Sequence, residues 1–416
     1  MKIDCRAMWI PLARWAGGGQ RDLRLLLTGR TVSLVGSWLL VVAVPYQVFR
    51  ITGSTLATSL TLLLQAAPPL LVGPVAGAVA DRIDRRTILV AADLGAAAGV
   101  ALMLFATTPQ RLPLLYLGLF VESAATCFFT PAITAVLPIV AGTGPGLVRA
   151  NAALAFVGGA VRLGGPPAGT VLLSAFGPTA VVAIDLASYL VSAALSAALR
   201  RAPTGPPASG RRLSGDLREG VRLVARSRLL RGMLGTALVF GTANAALTAL
   251  LVPLVAVRLG NPGSDVGYLL GGLGVGYLAG AAISRRIVAR YPTRTVLAVC
   301  YLAIGAGYLV MVDAPTLLVA TIGTALAGAP GATMLVATQH RLQVETPNAV
   351  LGRARAAFSA ADALGLVAGS LVAPAAVALT GLPVALNLFA LATVATAVAV
   401  RILMPEPVRR LRRGGS

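Results

Sequence analysis

Twelve apolar runs, each about long enough to cross a lipid bilayer, divide this chain from end to end. A membrane-spanning helix needs about 20 mostly apolar residues, and short loops separate most of these runs. Only 12% of the residues are charged, against about 25% in a typical soluble domain. We therefore predict an all-α membrane protein.

The predicted spans cover residues 25–49, 55–80, 87–107, 112–140, 151–175, 179–200, 229–257, 264–284, 293–312, 316–340, 352–378 and 382–403. One long connection, rich in Pro, Ser and Gly and then in Arg, separates the first six spans from the last six. The predicted parts are a cytoplasmic arm at 1–24, a six-helix half at 25–200, a cytoplasmic linker at 201–228, a second six-helix half at 229–403 and a basic cytoplasmic tail at 404–416.

Basic residues are concentrated on one side of the predicted membrane. With the N-terminus placed inside, 30 of the 35 Lys and Arg residues fall on cytoplasmic segments and three on external loops. This bias predicts cytoplasmic termini, and we expect a multi-pass protein of the cytoplasmic (inner) membrane. The bias also accounts for the net charge of +21 without nucleic acid, because isolated loops do not build a phosphate-binding face. Residues 1–20 lack the uninterrupted apolar core and cleavage site of a secretory signal.

The first and second parts of the sequence are similar to each other. A charged turn between apolar runs, at residues 73–86, recurs 203 positions later. In this turn Gly73 matches Gly276, Gly77 matches Gly280 and Arg82 matches Arg285. Elsewhere along the chain, Pro131 matches Pro330, Gly165 matches Gly365 and Gly169 matches Gly369. Such a repeat indicates a duplicated membrane transporter. Glycines four residues apart also let helix backbones approach closely, so the simplest predicted role of Gly165 and Gly169 is helix packing.

The 73–86 stretch resembles the loop 2–3 signature of the major facilitator superfamily. The signature positions are occupied by Gly77, Asp81, Arg82, Arg85 and Arg86, while Asp84 stands where Gly is common. Four more segments resemble the twelve-span drug:proton antiporter branch, which includes macrolide-efflux proteins and the enterobactin exporter: Thr130-Pro131-Ala132, Arg149-Ala150-Asn151-Ala152, Asp185-Leu186-Ala187-Ser188-Tyr189 and Gly352-Arg353.

A motif in span 5 carries the same resemblance. The run Gly165-Pro166-Pro167-Ala168-Gly169 is similar to the core of the antiporter signature. Val161 and Thr170 stand where that signature has its leading and closing Gly. The match is therefore partial.

The resemblance covers nearly the whole chain and implies two six-helix halves around a central cavity lined by spans 1, 4, 7 and 10. It implies a secondary active transporter that works by alternating access and exports a hydrophobic or amphipathic small molecule, such as a drug or secondary metabolite. The implied energy source is the proton gradient, and no cofactor is expected. The expected partners are the small-molecule substrate and the lipid bilayer, and the expected state is a monomer.

Other functions remain as alternatives. Uptake or uncoupled movement of a nutrient or lipid-like solute would use the same fold. A non-transporting sensor or scaffold is less consistent with the sequence, because the predicted parts include no large soluble domain. An enzyme is not predicted, because no nucleophile–base pair or phosphate loop is present, and the single His340 and three scattered Cys residues form no metal-binding pattern.

A few ionisable residues lie within the predicted spans, where a central Asp, Lys or Arg costs at least ~2.5 kcal/mol. At about 1.5 Å per residue, Glu122 and Arg162 reach similar depths near the middle of spans 4 and 5. We predict that they form a pair that a proton or a substrate can break, since a carboxyl beside a cation holds its proton less readily than an isolated one. A permanent structural ion pair is the alternative. Asp362 in span 11 is a further candidate for proton coupling.

Three other buried charges have simpler predicted roles. Asp93 and Asp185 lie on spans 3 and 6, which the resemblance places on the outside of the bundle. We predict that they are structural and bond helix ends or loop arginines. Arg30, near the inner end of span 1, is expected to extend towards the membrane surface.

The signature residues Gly77, Asp81, Arg82, Arg85 and Arg86 are predicted to form a gate rather than a binding site. Asp81 would cap a helix N-terminus of the other half, where the helix dipole favours an anion, and the arginines would pair with acids when the cytoplasmic side closes. The alternative is that these charges only set the topology.

Aromatic side chains with few polar groups suit amphipathic ligands. The predicted cavity wall contains Trp38, Tyr46, Phe120, Phe128, Phe129, Phe240 and Asn244. Packing between helices is the alternative role for each of them.

The topology is testable by labelling. Single cysteines placed in the 201–228 and 258–264 loops of a variant without native thiols should differ in reaction with a membrane-impermeant reagent added to intact cells. We expect labelling at 258–264 and none at 201–228, because the basic linker should lie inside. Labelling of 201–228 in intact cells would contradict the predicted orientation.

Overall fold

The structure, a computed structural model, describes residues 18–73, 76, 79, 83–142, 144–200, 222, 225–346 and 350–404. Every regular element in these residues is helical, as the predicted class requires. The long helices are α1 (Gly18–Thr52), α2 (Thr55–Leu71), α3 (Arg85–Leu104), α4 (Leu112–Ala141), α5 (Pro145–Ala197), α6 (Arg228–Ala249), α7 (Val266–Arg290), α8 (Thr293–Val312), α9 (Leu317–Glu345), α10 (Leu351–Thr380) and α11 (Leu382–Leu403). A short helix, Leu251–Pro253, and a π-helical turn, Leu254–Arg258, follow α6.

Ten of these helices are long and apolar enough to cross a membrane, counted over the described residues alone. The helix α2, with 17 residues, is shorter. The helix α5 has 53 residues, which corresponds to about 80 Å at 1.5 Å per residue and far exceeds a bilayer core of about 30 Å. The chain is therefore a multi-pass helical membrane protein, and α5 requires a break along its length.

Gly177 supplies that break. Its φ of 77° and ψ of 171° are not helical, so α5 consists of a first arm, 145–176, and a second arm, 178–197. Glycine adopts a positive φ without the penalty that a Cβ imposes. Gly381, between α10 and α11, has a similar φ of 81° and ψ of 161°. A glycine turn of the same conformation therefore joins the two arms of α5 and also joins α10 to α11.

Most predicted boundaries agree with the helices to within a few residues. The spans predicted at 293–312 and 382–403 are confirmed as α8 and α11. The helix α9 continues past the predicted end at 340 to Glu345. This last turn is polar and carries an i,i+4 ion pair between Arg341 and Glu345 at 2.6 Å, so a hydrophobicity criterion stops before it. The span predicted at 55–80 is a continuous described helix as far as Leu71.

Asp84, the residue that departs from the loop signature, begins a helix. Its carboxylate accepts hydrogen bonds from the backbone N (3.1 Å) and the hydroxyl (3.0 Å) of Thr87. Asp84 is therefore the N-cap of α3 and satisfies a donor that the helix itself leaves unpaired. A glycine has no side chain that could accept these bonds.

Glycines set the closest approach between α1 and α5. Gly165 lies against Trp38, and a Cβ added at Gly165 would come within 2.7 Å of the Trp38 Cβ. Gly169 lies one turn further along, against the backbone of Leu39. The two glycines of the span 5 motif therefore form a packing surface for α1.

The helices α6 and α10 meet in the same way. A Cβ added at Gly365 would lie 3.1 Å from the carbonyl carbon of Gly241, and Gly369 lies against the backbone of Thr242. These are the glycines that match Gly165 and Gly169 in the sequence. The sequence repeat therefore has a counterpart in how the helices pack.

At one end of the molecule, here called the closed end, helices from before residue 200 touch helices from after residue 227. The Thr170 hydroxyl of α5 donates a 2.6 Å hydrogen bond to the Ser264 carbonyl, just before α7. Gly267 of α7 lies against Pro166 of α5, with no space for a Cβ. The helices α5 and α7 are therefore in direct contact at this end.

At the opposite end, here called the open end, these two helices separate. Gly274 of α7 still lies against Leu163 of α5, but Cβ atoms added at Gly158 or Gly159 would meet nothing within 4 Å. The Phe156 side chain on the same arm is 67% exposed. The separation therefore begins near the middle of the molecule and widens towards this end.

The glycine contacts give a stability prediction with opposite signs at two positions on one helix arm. Gly165→Ala should destabilise the fold by about 1–3 kcal/mol, because the new methyl group overpacks against Trp38. Gly158→Ala should be neutral or stabilising by up to about 1 kcal/mol, because the site is open and Ala favours helix. Thermal unfolding of the two purified variants in the same lipid or detergent measures the difference, and equal shifts would refute the packing assignment.

Candidate functional site

A central cavity of about 550 Å³ lies between α1 and α5 on one side and α6, α7, α8 and α9 on the other. Its walls are mainly apolar, and leucines from α6 and α7 cover much of the surface. The polar side chains that line it are Arg162, Asn244, Thr248, Tyr277, Tyr308 and Thr324. A cavity of this size and composition can enclose a drug-sized molecule.

Arg162 projects from the first arm of α5 into this cavity. Its guanidinium carbon lies 5.5 Å from the centre of the Trp38 ring on α1, which is a cation–π distance. Gly165, one turn further along α5, brings α1 close enough for this contact. Arg162 is the charged residue among the described residues that line the cavity.

The facing wall carries an aromatic pair and an amide. Phe240 of α6 lies against Tyr301 of α8, with ring centres 5.2 Å apart. The Tyr308 hydroxyl donates a 2.5 Å hydrogen bond to Asn244 Oδ1. This bond uses one of the two lone pairs of the amide oxygen, and the Asn244 NH₂ can donate to a ligand.

A second polar site lies inside the helices that precede residue 200. The Tyr189 hydroxyl on the second arm of α5 donates a 2.6 Å hydrogen bond to Glu122 Oε1 on α4. The same hydroxyl lies 3.0 Å from the Ser37 hydroxyl on α1. We call this set of three residues the Glu122 network; it joins α1, α4 and α5.

The predicted ion pair between Glu122 and Arg162 is not present. In the described part of the chain, the ion pairs found are Arg258–Asp313 and Arg341–Glu345. Glu122 faces Tyr189 and packs beside Gly99 of α3, whereas Arg162 faces the cavity. The two residues have similar depth but point in different directions, and position along the sequence does not reveal direction around the bundle. Their proposed roles in coupling stay predictions.

Asp93 and Asp185, the two carboxylates predicted to be structural, bond serines within the helices rather than helix ends or loop arginines. Asp93 of α3 is 2% exposed and accepts a 2.7 Å hydrogen bond from the Ser192 hydroxyl. Asp185 is fully buried against Gly36 of α1 and accepts a bond from Ser188 at 3.2 Å. Its second oxygen, Oδ2, has no hydrogen-bond partner among the described residues.

Some residues predicted to line the cavity lie elsewhere. Trp38, Phe240 and Asn244 do line it. Tyr46 packs near the closed end, with the Arg50 guanidinium 5.7 Å from its ring. Phe129 is buried, and the Arg30 guanidinium carbon lies 5.0 Å from the centre of its ring. Arg30 therefore has a contact inside the protein.

The remaining candidates are also outside the cavity wall. Phe128 packs in the buried cluster formed by α1, α3 and α4 near the open end. Phe120 is half-buried on α4, and Asp362 is exposed on α10. None of these three is among the described residues lining the cavity.

Sequence reasoning missed four hydroxyl groups of the cavity, those of Thr248, Thr324, Tyr277 and Tyr308. Tyrosines of membrane proteins are enriched at the two membrane surfaces. Tyr277 instead lies near the middle of the apolar helix α7. A tyrosine at mid-span is therefore a signal that could have identified this position.

The described arginines of the loop signature bond helix carbonyls. Arg85 donates to the Ala135 carbonyl of α4 at 3.5 Å, and Arg86 donates to the Ala197 carbonyl at the end of α5. Cations are favourable at helix C-termini. Gly77, Asp81 and Arg82 lie outside the described residues.

The second part of the chain repeats this arrangement. Arg294, at the start of α8, donates to the Arg401 carbonyl near the end of α11. Arg86 makes the corresponding contact from the start of α3 to the end of α5. The same type of bond thus joins the start of one helix to the end of another in both parts of the chain.

Membrane helices around a cavity that is closed at one end and open at the other are the arrangement of a membrane transporter. The sequence comparison agrees. The chain belongs to the transmembrane secretion effector family, whose sequence model matches residues 12–410. This is a family of transporters rather than of enzymes.

Three relatives show the range of similarity. The chain is 28% identical to YfiS, an uncharacterized MFS-type transporter of Bacillus subtilis, in an alignment of 274 residues that covers 64% of each chain. It is 35% identical to macrolide efflux protein A of Streptococcus pyogenes, in an alignment of 114 residues that covers 27% of this chain and 28% of the relative. It is 27% identical to multidrug efflux pump Tap of Mycobacterium tuberculosis, in an alignment of 321 residues that covers 73% of this chain and 74% of the relative. The first two alignments thus span less than two thirds of those relatives.

Solved structures share the fold. The nucleoside transporter NupG matches with a TM-score of 0.75 and 15% identity, over 92% of this chain and 98% of NupG. A bacterial homologue of the iron transporter ferroportin, in an inward-facing state, matches with a TM-score of 0.73 and 14% identity, over 92% and 97%. At such identities the likeness is one of fold alone.

Proposed function

We propose that this protein is a proton-coupled exporter of a hydrophobic or amphipathic small molecule and works by alternating access. The observation that carries the proposal is the central, mainly apolar cavity, closed at one end by contacts between α5 and α7 and open at the other. A transporter of this type must expose one site to each side of the membrane in turn.

The proposed architecture has twelve spans in two six-helix halves. Counting the two arms of α5 separately and including α2 gives six helical segments on either side of the 201–228 linker. The equivalent turns at Gly177 and Gly381 support this division. The equivalent arginine-to-carbonyl bonds of Arg86 and Arg294 support it as well.

Export is the proposed direction. Two relatives, macrolide efflux protein A and multidrug efflux pump Tap, are efflux proteins by name. With cytoplasmic termini in the inner membrane, as the basic residues indicate, the open end would face the cytoplasm. Substrate would then enter the cavity from inside the cell. We further propose that the transporter is a monomer and that the 73–86 loop acts as a cytoplasmic gate.

Proton coupling is assigned to the Glu122 network. A carboxylate accepts hydrogen bonds only, whereas a protonated carboxyl also donates one. Protonation of Glu122 therefore changes what it can exchange with Tyr189, whose hydroxyl also contacts Ser37 of α1. Loading and release of a proton would in this way alter the contact between α1, α4 and α5.

The direction and energy source can be tested together in an efflux-deficient bacterial host. We expect cells that express the protein to accumulate less of a transported dye or drug than cells without it, and a protonophore to abolish the difference. Higher accumulation in expressing cells would support the alternative, uptake. Lower accumulation that a protonophore leaves unchanged would exclude proton coupling but not export.

Glu122→Gln should separate coupling from folding. The Gln carbonyl oxygen can still accept the Tyr189 hydrogen bond, so folded yield should be retained, but Gln binds no proton. Transport driven by an imposed pH gradient in proteoliposomes should fall about a hundredfold or more, the lower end of the range for a missing proton-transfer group, while substrate binding persists.

The matched control for Glu122→Gln is Glu345→Gln. This change removes a carboxylate from a peripheral ion pair with Arg341 and should leave pH-driven transport unchanged. Tyr189→Phe tests the network from its other side and should weaken coupling. Proton-driven transport that survives in Glu122→Gln would remove Glu122 from the mechanism and make Asp362 the next carboxylate to test.

A further inference from the structure

We infer that the cavity takes amphipathic substrates that carry a negative charge, with Arg162 as the anion ligand and the apolar wall around it, which includes Trp38, as the surface that contacts the apolar body of the substrate. This inference rests on the proposal that the cavity is the transport site. It adds the chemical class of the substrate, which neither the fold nor the family assigns.

The first argument is the absence of a counter-ion. No carboxylate of the described residues lies within ion-pair distance of Arg162, since the described ion pairs are Arg258–Asp313 and Arg341–Glu345. Arg162 is exposed in this conformation, so its charge is hydrated through the open end. When alternating access closes both ends, that hydration is reduced, and an unpaired charge in apolar surroundings is costly. A bound anion would remove this cost.

The second argument is the chemistry of the remaining polar groups. Arg162 presents hydrogen-bond donors only, and Asn244 can add the two N–H donors of its NH₂, since its oxygen already accepts a bond from Tyr308. The described lining residues include no Asp or Glu. A substrate with an ammonium group would therefore find a repelling guanidinium and no carboxylate, whereas a carboxylate, sulfonate or phosphate would find charged donors.

The third argument is the shape of the site around the charge. The Arg162 guanidinium lies above the Trp38 ring rather than in open space. Leu163 and Pro166 continue the apolar wall on the same arm, and Phe240 forms the facing side. A flat or aromatic body attached to the anionic group would contact these surfaces, and aromatic contact adds to the area buried.

Trp38 also provides the readout for a test. The chain has three tryptophans, so Trp9→Phe/Trp15→Phe leaves Trp38 as the single emitter, beside the proposed anion ligand. This full-length variant would be reconstituted in lipid nanodiscs. It would be titrated with three probes that share one ring system: anthracene carboxylate, anthracene methanol and anthracene methylamine. The measured quantity is the saturable quenching of Trp38 emission.

We expect the carboxylate to bind about tenfold to a hundredfold more tightly than the alcohol, the range for one hydrogen bond to a charged group. The amine should bind most weakly. Arg162→Gln should reduce carboxylate affinity to that of the alcohol, and Arg162→Lys should retain part of the preference. Arg50→Gln is the matched control, because Arg50 also lies over an aromatic ring, Tyr46, but outside the cavity; its affinities should be unchanged.

The outcomes separate the two proposals. Equal affinity for the three probes, unaffected by Arg162→Gln, would overturn the anion inference, while the accumulation assay could still establish export. Arg162-dependent carboxylate binding in a protein that exports nothing would uphold the anion site and defeat the proposed function. Saturable quenching by none of the probes would show that the cavity does not bind such molecules, and the inference would fail.

Discussion

The whole arrangement depends on the requirement that backbone N–H and C=O groups inside a bilayer be bonded within the protein. Helices satisfy this requirement internally, so what remains to be specified is how they pack. Lipid provides no hydrophobic drive for helices to associate, and close contact between small residues takes its place. Gly165 and Gly169 bring α5 against α1 at Trp38 and Leu39. That contact positions Arg162 over the Trp38 ring.

The same constraint explains how much of the fold the sequence could predict. The helices α8 and α11 begin and end where the apolar runs do, because the length of a run in a membrane is set by bilayer thickness. The last turn of α9 was missed, since it is polar, with an ion pair between Arg341 and Glu345, and a hydrophobicity criterion stops before it. Spacing also predicted that Gly165 and Gly169 would pack, as four residues return to the same helix face.

The site was less predictable, for a geometric reason. Counting residues along a span gives the depth of a side chain in the membrane. Because Glu122 and Arg162 have similar depths, they were predicted to form a pair. Direction around the bundle depends on which neighbour each helix face meets, and here Glu122 meets Tyr189 while Arg162 meets the cavity. Asn244 lines the cavity, and its bond to Tyr308 joins residues 64 positions apart. No local pattern contains such a contact.

The separation of Glu122 from Arg162 bears on how coupling could work. If a proton binds in the Glu122 network and an anionic substrate binds at Arg162, they do not compete for one side chain, so coupling has to pass through the helices. Ser37 and Trp38 are consecutive residues of α1, the first beside Tyr189 and the second beneath Arg162. The helix α5 likewise carries Arg162 on one arm and Tyr189 on the other. A shift of α1 against α5 would therefore change the contacts both of the Glu122 network and of Arg162. Coupling between two sites requires such a shared element with two states.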